Sequence, residues 1–332
     1  MKIFVYEFFT GGGLVGEPLP ASLAREGDLM LRALLRDLGG VPGVEVLISR
    51  DSRLPAIPGV PSVMTSPGES GFALFAHGVE ATDATWPIGP ETGGVLERLT
   101  RKVIERGRVL LGCLPEAVRL TASKSATAEA LREAGIPVVL TITRAADLPA
   151  YPGRWVVKPD DGAGCDGALL LEGWRAARNY LEAAPGNLVA QPWVEGDAQS
   201  LSLLCADQQA FLLCCNRQRV RIRNARLALE GISVNAVGDQ ARRLARLGER
   251  IAATIPGLWG YVGVDLIGTA SGPVVLEINP RLTTSYCGLG QALGINAAAM
   301  VLDLLAPGGP KSRGVPPMGM TSEVALEAPH VS

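Results

Sequence analysis

Residues 260–281 constrain the fold most. Two apolar runs, Tyr261–Ile267 and Val274–Ile278, flank the turn-forming stretch Gly268-Thr-Ala-Ser-Gly272, a spacing that predicts a β-hairpin across a five-residue loop. Each apolar strand carries a carboxylate, Asp265 in the first and Glu277 in the second. Pairing across the loop sets the two acids within one or two register steps. Alternation along the second strand points Leu276, Ile278 and Pro280 one way and Glu277, Asn279 and Arg281 the other. Two facing carboxylates repel unless a cation lies between them, and Asn279 adds a neutral oxygen of the same hardness. The hairpin is therefore a candidate magnesium site. A solvent-facing edge strand with unpaired acids would show the same pattern.

The chain has 332 residues, 47% of them hydrophobic, which is material for a large core and two or three domain-sized units. A net charge of -2 argues against a nucleic-acid partner, and 5% aromatics argue against a base-stacking platform. No apolar stretch is long enough to cross a bilayer. The N-terminus carries Glu7 too early for a signal segment, so a soluble, cytoplasmic protein is expected. Cysteines 113, 165, 205, 214, 215 and 287 form no C-x-x-C pair, which suits neither zinc nor a disulfide framework. With histidine only at His77 and His330, a metal here must be held by oxygen.

Residues 1–120 alternate strand and helix patterns, which implies a parallel sheet covered on both faces. Ile3–Phe9 reads as a buried strand entering Thr10-Gly-Gly-Gly13, and Ser22–Leu38 as a helix with a Ser cap and Gly39 as its stop. Val44–Ser49, Phe72–Phe75 and Val109–Cys113 are further apolar runs, and Glu91–Arg106 looks helical. Beyond residue 120 the pattern changes. Thr121–Ala134 reads as one helix, Trp155–Lys158 and Ala168–Leu171 as strands, Trp174–Ala184 as a helix and Leu188–Gln191 as a strand. Residues 200–235 look antiparallel, Gly238–Ile255 reads as a basic-faced helix, and the tail after Leu305 as loosely packed.

Two further segments carry chemistry. In Trp155-Val-Val-Lys158-Pro-Asp-Asp-Gly-Ala-Gly-Cys-Asp-Gly167 a lysine ends an apolar strand, and Gly162, Gly164 and Gly167 free the backbone to close on an anion. A plain hairpin loop would read the same. Leu188-Val-Ala-Gln191-Pro-Trp-Val194 is a strand entering a proline-containing connector, which can offer backbone groups to a base edge or simply cross between domains.

Taken in order, the three segments resemble the ATP-grasp superfamily, from about Thr121 to Leu305, preceded by the usual Rossmann-like domain. The resemblance implies an α/β plus α+β fold: an N-terminal domain (1–120), a central lid subdomain (121–195), a C-terminal subdomain with the metal site (196–310) and a tail (311–332). It implies that Lys124 and Lys158 contact ATP phosphates and that Asp160–Gly167 form the glycine-rich loop, with Asp161, Gly162, Gly164 and Gly167 against the nucleotide. Gln191, Trp193 and Val194 would read adenine. Asp265, Glu277 and Asn279 would hold two Mg²⁺ ions, for which Mn²⁺ is a candidate substitute. Two positions depart from the pattern. The ribose-binding acid is replaced by Ala198, leaving Asp197 or Glu195, and the arginine two residues before the first metal acid is Gly263. Arg281 or a residue of the 216–219 stretch, Arg217 foremost, would supply the missing catalytic cation.

Tyr6-Glu7, Thr10-Gly-Gly-Gly13, Pro90-Glu-Thr92, Asn216-Arg-Gln218 and Gly260-Tyr-Val-Gly-Val-Asp265 look most like a carboxylate–amine ligase branch that includes the tyramine–glutamate ligases of methanofuran biosynthesis. That likeness implies an acyl phosphate formed with release of ADP and then captured by an amine. The expected partners are small-molecule carboxylates and amines, not nucleic acid or membrane, with a homodimer left open. A kinase using the same grip on ATP to phosphorylate a hydroxyl, and a non-enzymic nucleotide-binding module, are the competing readings. The arginines at 217, 219, 221 and 223 share one strand face, either clamping a second carboxylate or forming a solvated basic edge. Glu7 and Glu91 are further candidates for substrate contact, though Glu91 could instead serve the helix dipole.

Overall fold

The structure, a computed structural model, describes residues 1–65, 68, 70–162, 167–184, 186–238, 241–306 and 319–326. The N-terminal part runs β1 (Lys2–Glu7), α1 (Ala21–Gly39), β2 (Glu45–Arg50), β3 (Ser62–Met64), α2 (Gly71–Glu80), β4 (Ala84–Ile88), α3 (Val95–Glu105) and β5 (Val109–Leu110). Its strands form an all-parallel five-stranded sheet ordered β3-β2-β1-β4-β5. Phe72–Phe75 lies inside helix α2, because a short apolar run does not by itself separate a strand from a buried helix turn. β4 was hidden by Pro87, a residue that argues against a central strand, yet it pairs with β1 throughout, Pro87 opposite Tyr6. Helix α1 starts at Ala21 behind Pro20, with no side-chain cap from Ser22.

The segment read as one helix from Thr121 is two, α4 (Pro115–Ala122) and α5 (Lys124–Glu133). Ser123 breaks them by adopting an extended backbone, and its Oγ accepts the Ala126 N–H at 3.1 Å. The Asp160 carboxylate accepts the Ser125 N–H at 2.8 Å and the Ser123 hydroxyl at 2.7 Å, so an anion completes the positive end of α5. Next come β6 (Arg154–Pro159), β7 (Leu169–Glu172), α6 (Trp174–Ala183), β8 (Leu188–Pro192), β9 (Asp197–Ala206), β10 (Gln209–Arg223) and β11 (Arg226–Val234). Then follow α7 (Ala241–Thr254), β12 (Gly260–Thr269), β13 (Gly272–Asn279), α8 (Leu289–Leu293), α9 (Ala297–Asp303) and β14 (Ser322–Ala325).

These strands form a second sheet, ordered β13-β12-β9-β10-β11-β7-β6-β8, with β14 on β11. A single registered pair, Arg226 with Leu169, joins its two halves. The tail, expected to be loosely packed, instead lays β14 antiparallel along β11. The hairpin turn is tighter than five residues, since Thr269 already pairs with Gly272. A side chain at Gly272 would strike the Arg243 guanidinium, which donates to the Ser271 carbonyl at 2.9 Å. The basic face of α7 thus ties the helix to this turn, and Arg250 reaches the Gly135 carbonyl behind α5 at 2.9 Å.

The largest apolar core mixes Ile3, Leu34 and Trp86 of the N-terminal part with Leu282, Tyr286 and Leu289 of the C-terminal part. Tyr286 donates its hydroxyl to Asp37 at 2.8 Å across that boundary. Just past β4, Glu91 pairs with Arg281, so the C-terminal end of the parallel sheet, where open α/β sheets place ligands, is held against the end of β13. Among the described residues, no helix is long and apolar enough to cross a membrane.

Candidate active site

A cavity of about 380 Å³ lies against the antiparallel sheet, and most of the expected residues line it: Lys124, Lys158, Gly162, Gln191, Trp193, Val194, Asp197, Arg217, Asp265 and Glu277. At its polar end two lysines from different elements meet one carboxylate. Lys124 Nζ lies 3.6 Å and Lys158 Nζ 3.8 Å from Glu277 Oε2. Lys124 is nearly buried and also donates to the carbonyls of Asp160 and Gly162, so the start of α5 and the end of β6 aim their cations at one point.

Asp265 and Glu277 are directly opposite in the β12–β13 register, closer than sequence spacing required. A bulge follows: Leu266 pairs with Val275, leaving Leu276 unpaired. Strict alternation would send Leu276 away from Glu277, but the bulge brings both to the cavity wall. Burial, and then the facing Glu277, push the Asp265 carboxyl up to about 7. Burial would also raise Glu277, yet Lys124, Lys158, the Asp265 hydrogen bond and Arg281 together hold it below the usual carboxylate range. Asn279 Nδ2 donates to Asp265 Oδ2 at 3.1 Å, and Gln218 Nε2 donates to Oδ1 at 2.8 Å.

This donor set fits a hard divalent ion. Among the described residues no group of three His, Cys, Asp or Glu could hold a metal, so the protein supplies two carboxylates and an amide here. Magnesium habitually binds through one or two carboxylates and completes its shell with phosphate oxygens and water. An ion between Asp265 and Glu277 would remove the repulsion that raises Asp265.

At the other end of the cavity, Gln191 is buried and its amide donates to Thr141 Oγ1 at 3.0 Å. The Arg154 guanidinium lies 4.8 Å from the Trp193 ring centroid, and the Trp193 indole N–H is buried without a partner among the described residues. Asp197 sits on the rim with Arg217 3.8 Å away, both more than half exposed. Arg217, expected as a second catalytic cation, is thus held at the rim rather than beside Arg281. The other three arginines of that strand pair with surface acids: Arg219 with Glu323, Arg221 and Arg223 with Glu230. They form a solvated basic edge.

The glycine-rich loop is described at its two ends only, and Gly164 lies outside the described residues. Gly167 takes a positive φ of 70° and packs against Pro159. Asp161 points away from the cavity. Its carboxylate accepts the Gly93 N–H at 2.9 Å, and its carbonyl accepts the Thr92 hydroxyl at 3.1 Å.

Arg281 stands beyond the acid pair, its side chain 13% exposed. Its Nε and Nη2 donate to Glu91 Oε1 and Oε2 at 2.9 and 3.1 Å, and its Nη1 donates to the Leu282 carbonyl at 3.0 Å. The departure at Gly263 has a steric cause. A Cβ there would sit 2.6 Å from Thr283 Cγ2, so Thr283 fills the space in which an arginine stem would start. The Thr283 hydroxyl is fixed in turn, 3.0 Å from Tyr261 OH and 2.9 Å from Ser285 Oγ. Glu7 is buried at the C-terminal end of the central strand β1, accepting from the Thr10 N–H and hydroxyl at 2.7 Å each. Burial pushes its carboxyl up to about 7 against those hydrogen bonds and Arg281. The carboxylate, 1% exposed, braces the Thr10–Gly13 turn.

Sequence reasoning missed Gln218 as the support of Asp265, the Glu91–Arg281 pair and the filling of Gly263. Only Gln218 had a local sign: alternation sets it on the face opposite the arginines.

A cavity in which two lysines meet one of two paired acids, behind a parallel α/β domain, fits an ATP-grasp architecture. The family models agree: an ATP-grasp domain matches residues 121–285, and a pre ATP-grasp 3 domain matches residues 44–118. The chain belongs to the ATP-grasp superfamily. The tyramine–L-glutamate ligase of Methanocaldococcus jannaschii is 30% identical over 211 residues, 63% of this chain and 59% of that protein. The chain spans about three-fifths of the length of the curated relatives it matches first. A crystal structure of an ATP-grasp superfamily protein from Archaeoglobus fulgidus superposes with a TM-score of 0.72 at 24% identity, covering 98% of this chain and 100% of that one. The biotin carboxylase domain of Hydrogenobacter thermophilus 2-oxoglutarate carboxylase, solved with MgADP, ADP and bicarbonate, superposes at 0.67 with 15% identity, covering 90% and 69%.

Proposed function

We propose that this chain is an ATP-dependent carboxylate–amine ligase, with L-glutamate as the acid and tyramine or a similar primary amine as the acceptor. The observation that carries the reading is the meeting of Lys124 and Lys158 on Glu277, opposite Asp265, inside a cavity that continues to Gln191–Val194. Gln191, Trp193 and Val194 take the adenine. Asp197, with Arg217 beside it, takes the sugar edge that Ala198 cannot. Lys124, Lys158 and the backbone near Gly162 hold the phosphates, and Asp265, Glu277 and Asn279 would hold two magnesium ions, which would neutralise charge on the triphosphate.

Arg281 favours a ligase over a kinase. Three of its five N–H groups are taken by Glu91 and Leu282, leaving two donors in a planar fork that matches a carboxylate or an acyl phosphate. In the first step a carboxylate oxygen attacks the γ-phosphorus and ADP leaves. In the second, the amine nitrogen attacks the acyl carbon, the C–O bond to phosphate breaks, and the nitrogen gives up its extra proton to solvent. Lys158 and Arg281 offset the repulsion between the approaching carboxylate and the phosphate chain, and positioning does the rest. The likeness to tyramine–L-glutamate ligase supports the choice of substrates.

Mass spectrometry of the protein with ATP, Mg²⁺, L-glutamate and a panel of amines tests the reading. The expected products are an amide, ADP and free phosphate. A stable phosphorylated small molecule would establish the kinase instead, and nucleotide binding without turnover would establish a binding module.

A further inference from the structure

Pro90-Glu91-Thr92-Gly93 belongs to the N-terminal domain, yet its side chains and backbone reach two separate parts of the ATP-grasp region. Glu91 is 5% exposed and grips Arg281 through both carboxylate oxygens, across 190 residues of sequence. The next two residues bind Asp161 at the root of the glycine-rich loop, Thr92 through its hydroxyl and Gly93 through its N–H. One short turn therefore fixes the guanidinium on one side and the descent from Lys158 on the other. Its own shape is set by the chain: the Gly94 N–H closes onto the Glu91 carbonyl at 3.0 Å, and the Leu96 N–H onto Pro90 at 3.0 Å. Gly93 sits at φ 61°, a conformation that suits glycine and aims its N–H outward.

We infer that Glu91 is the positioning residue for Arg281, acting on the reaction only through the orientation of that guanidinium. The inference rests on the ligase reading. A bidentate carboxylate fixes both the plane and the roll of a guanidinium, which a single hydrogen bond does not. Glu91 holds the Nε/Nη2 edge and Leu282 holds Nη1, so the guanidinium is fixed from two sides, close enough to the acid pair that Glu277 feels its charge. Glu26 of α1, which accepts from Thr284, also feels Arg281, but it makes no hydrogen bond to the guanidinium and so does not orient it. A plain structural ion pair between domains would show the same contacts, so the test must separate positioning from adhesion.

The experiment is a double-variant cycle read on kcat for amide formation, with the KM for ATP followed in parallel. Glu91→Gln is expected to lower kcat about 100-fold, the loss that a misplacement of roughly 1 Å brings, while the KM for ATP stays within about twofold. Arg281→Ala should lose at least as much, and adding Glu91→Gln to it should cost nothing further in kcat. If the double variant falls by the product of the two single losses, Glu91 acts independently of Arg281 and the inference fails. It fails equally if Glu91→Gln lowers the melting temperature but leaves kcat intact. Wild-type protein that makes no amide would sink the ligase reading itself. The ¹⁵N-coupled Arg281 Nε–H resonance then decides alone: its collapse in Glu91→Gln supports positioning, and an unchanged resonance overturns it.

Discussion

Gly263 offers a direct measurement of how the site is packed. Its φ is not in the left-handed region, so an alanine there meets only a steric obstacle. That obstacle is specific: the new Cβ would lie 2.6 Å from Thr283 Cγ2, with Asn279 Cβ at 3.5 Å. Relaxed carbon contacts lie at about 3.5–4.0 Å, so the Thr283 methyl must retreat by about 1 Å, and overpacking of this kind costs about 1–3 kcal/mol. Thr283 cannot turn freely, because its hydroxyl is shared with Tyr261 and Ser285. Thr283→Ser removes the offending methyl, keeps the hydroxyl, and should cost roughly 1 kcal/mol by itself. The double variant exchanges one methyl for another in nearly the same space, so its stability should lie within about 1 kcal/mol of wild type. Urea midpoints, with the slope m checked for constancy, give the three values. Turnover provides a second readout, since Thr283 follows Arg281 by two residues: Gly263→Ala should lose activity that the double variant recovers. Additive losses, agreeing within about 0.5 kcal/mol, would refute the contact as the cause.

Glu277→Gln removes the carboxylate that both lysines meet, and turnover should fall by at least about 100-fold while thermal melting stays close to wild type. A melting point far below wild type would assign Glu277 to structure instead. Lys158→Ala should weaken ATP binding by about 10- to 100-fold in calorimetry, the range for one lost hydrogen bond to a charged group, and unchanged affinity would remove Lys158 from the phosphate site. Glu7 titrates at about 7 in the folded chain against an ordinary 4.5, so it prefers its proton when folded. Its contribution is complete below about pH 4.5 and is lost as pH rises to about 7, up to about 3 kcal/mol in all. The stability difference between Glu7→Gln and wild type, followed by urea denaturation from pH 4.5 to 7.5, should therefore shift in favour of the variant, and a flat difference would contradict the assignment.

What could be read from the chain and what could not divide along a physical line. Asp265, Glu277 and Lys158 were visible because each breaks a local rule: a charge ends or interrupts an apolar strand, and burial of a charge demands a partner. The hairpin was visible because its turn and its strands are contiguous. Phe72–Phe75 and β4 obeyed the wrong local rule, one apolar without a period and the other carrying Pro87, and tertiary packing decided both. The bulge at Leu276 shifts alternation by one residue, which composition cannot signal. Glu91 and Thr283 broke no rule at all. An acid opening a helical turn and a threonine after a strand are ordinary, and each acquires its meaning from a partner: Glu91 from a guanidinium 190 residues away, Thr283 from a glycine on the neighbouring strand. Gly263 makes the dependence plain. Read alone it was a missing arginine, a defect in the site; with Thr283 in its place the absence has a steric cause, and Arg281, gripped by Glu91, is a buried cation whose charge still reaches Glu277.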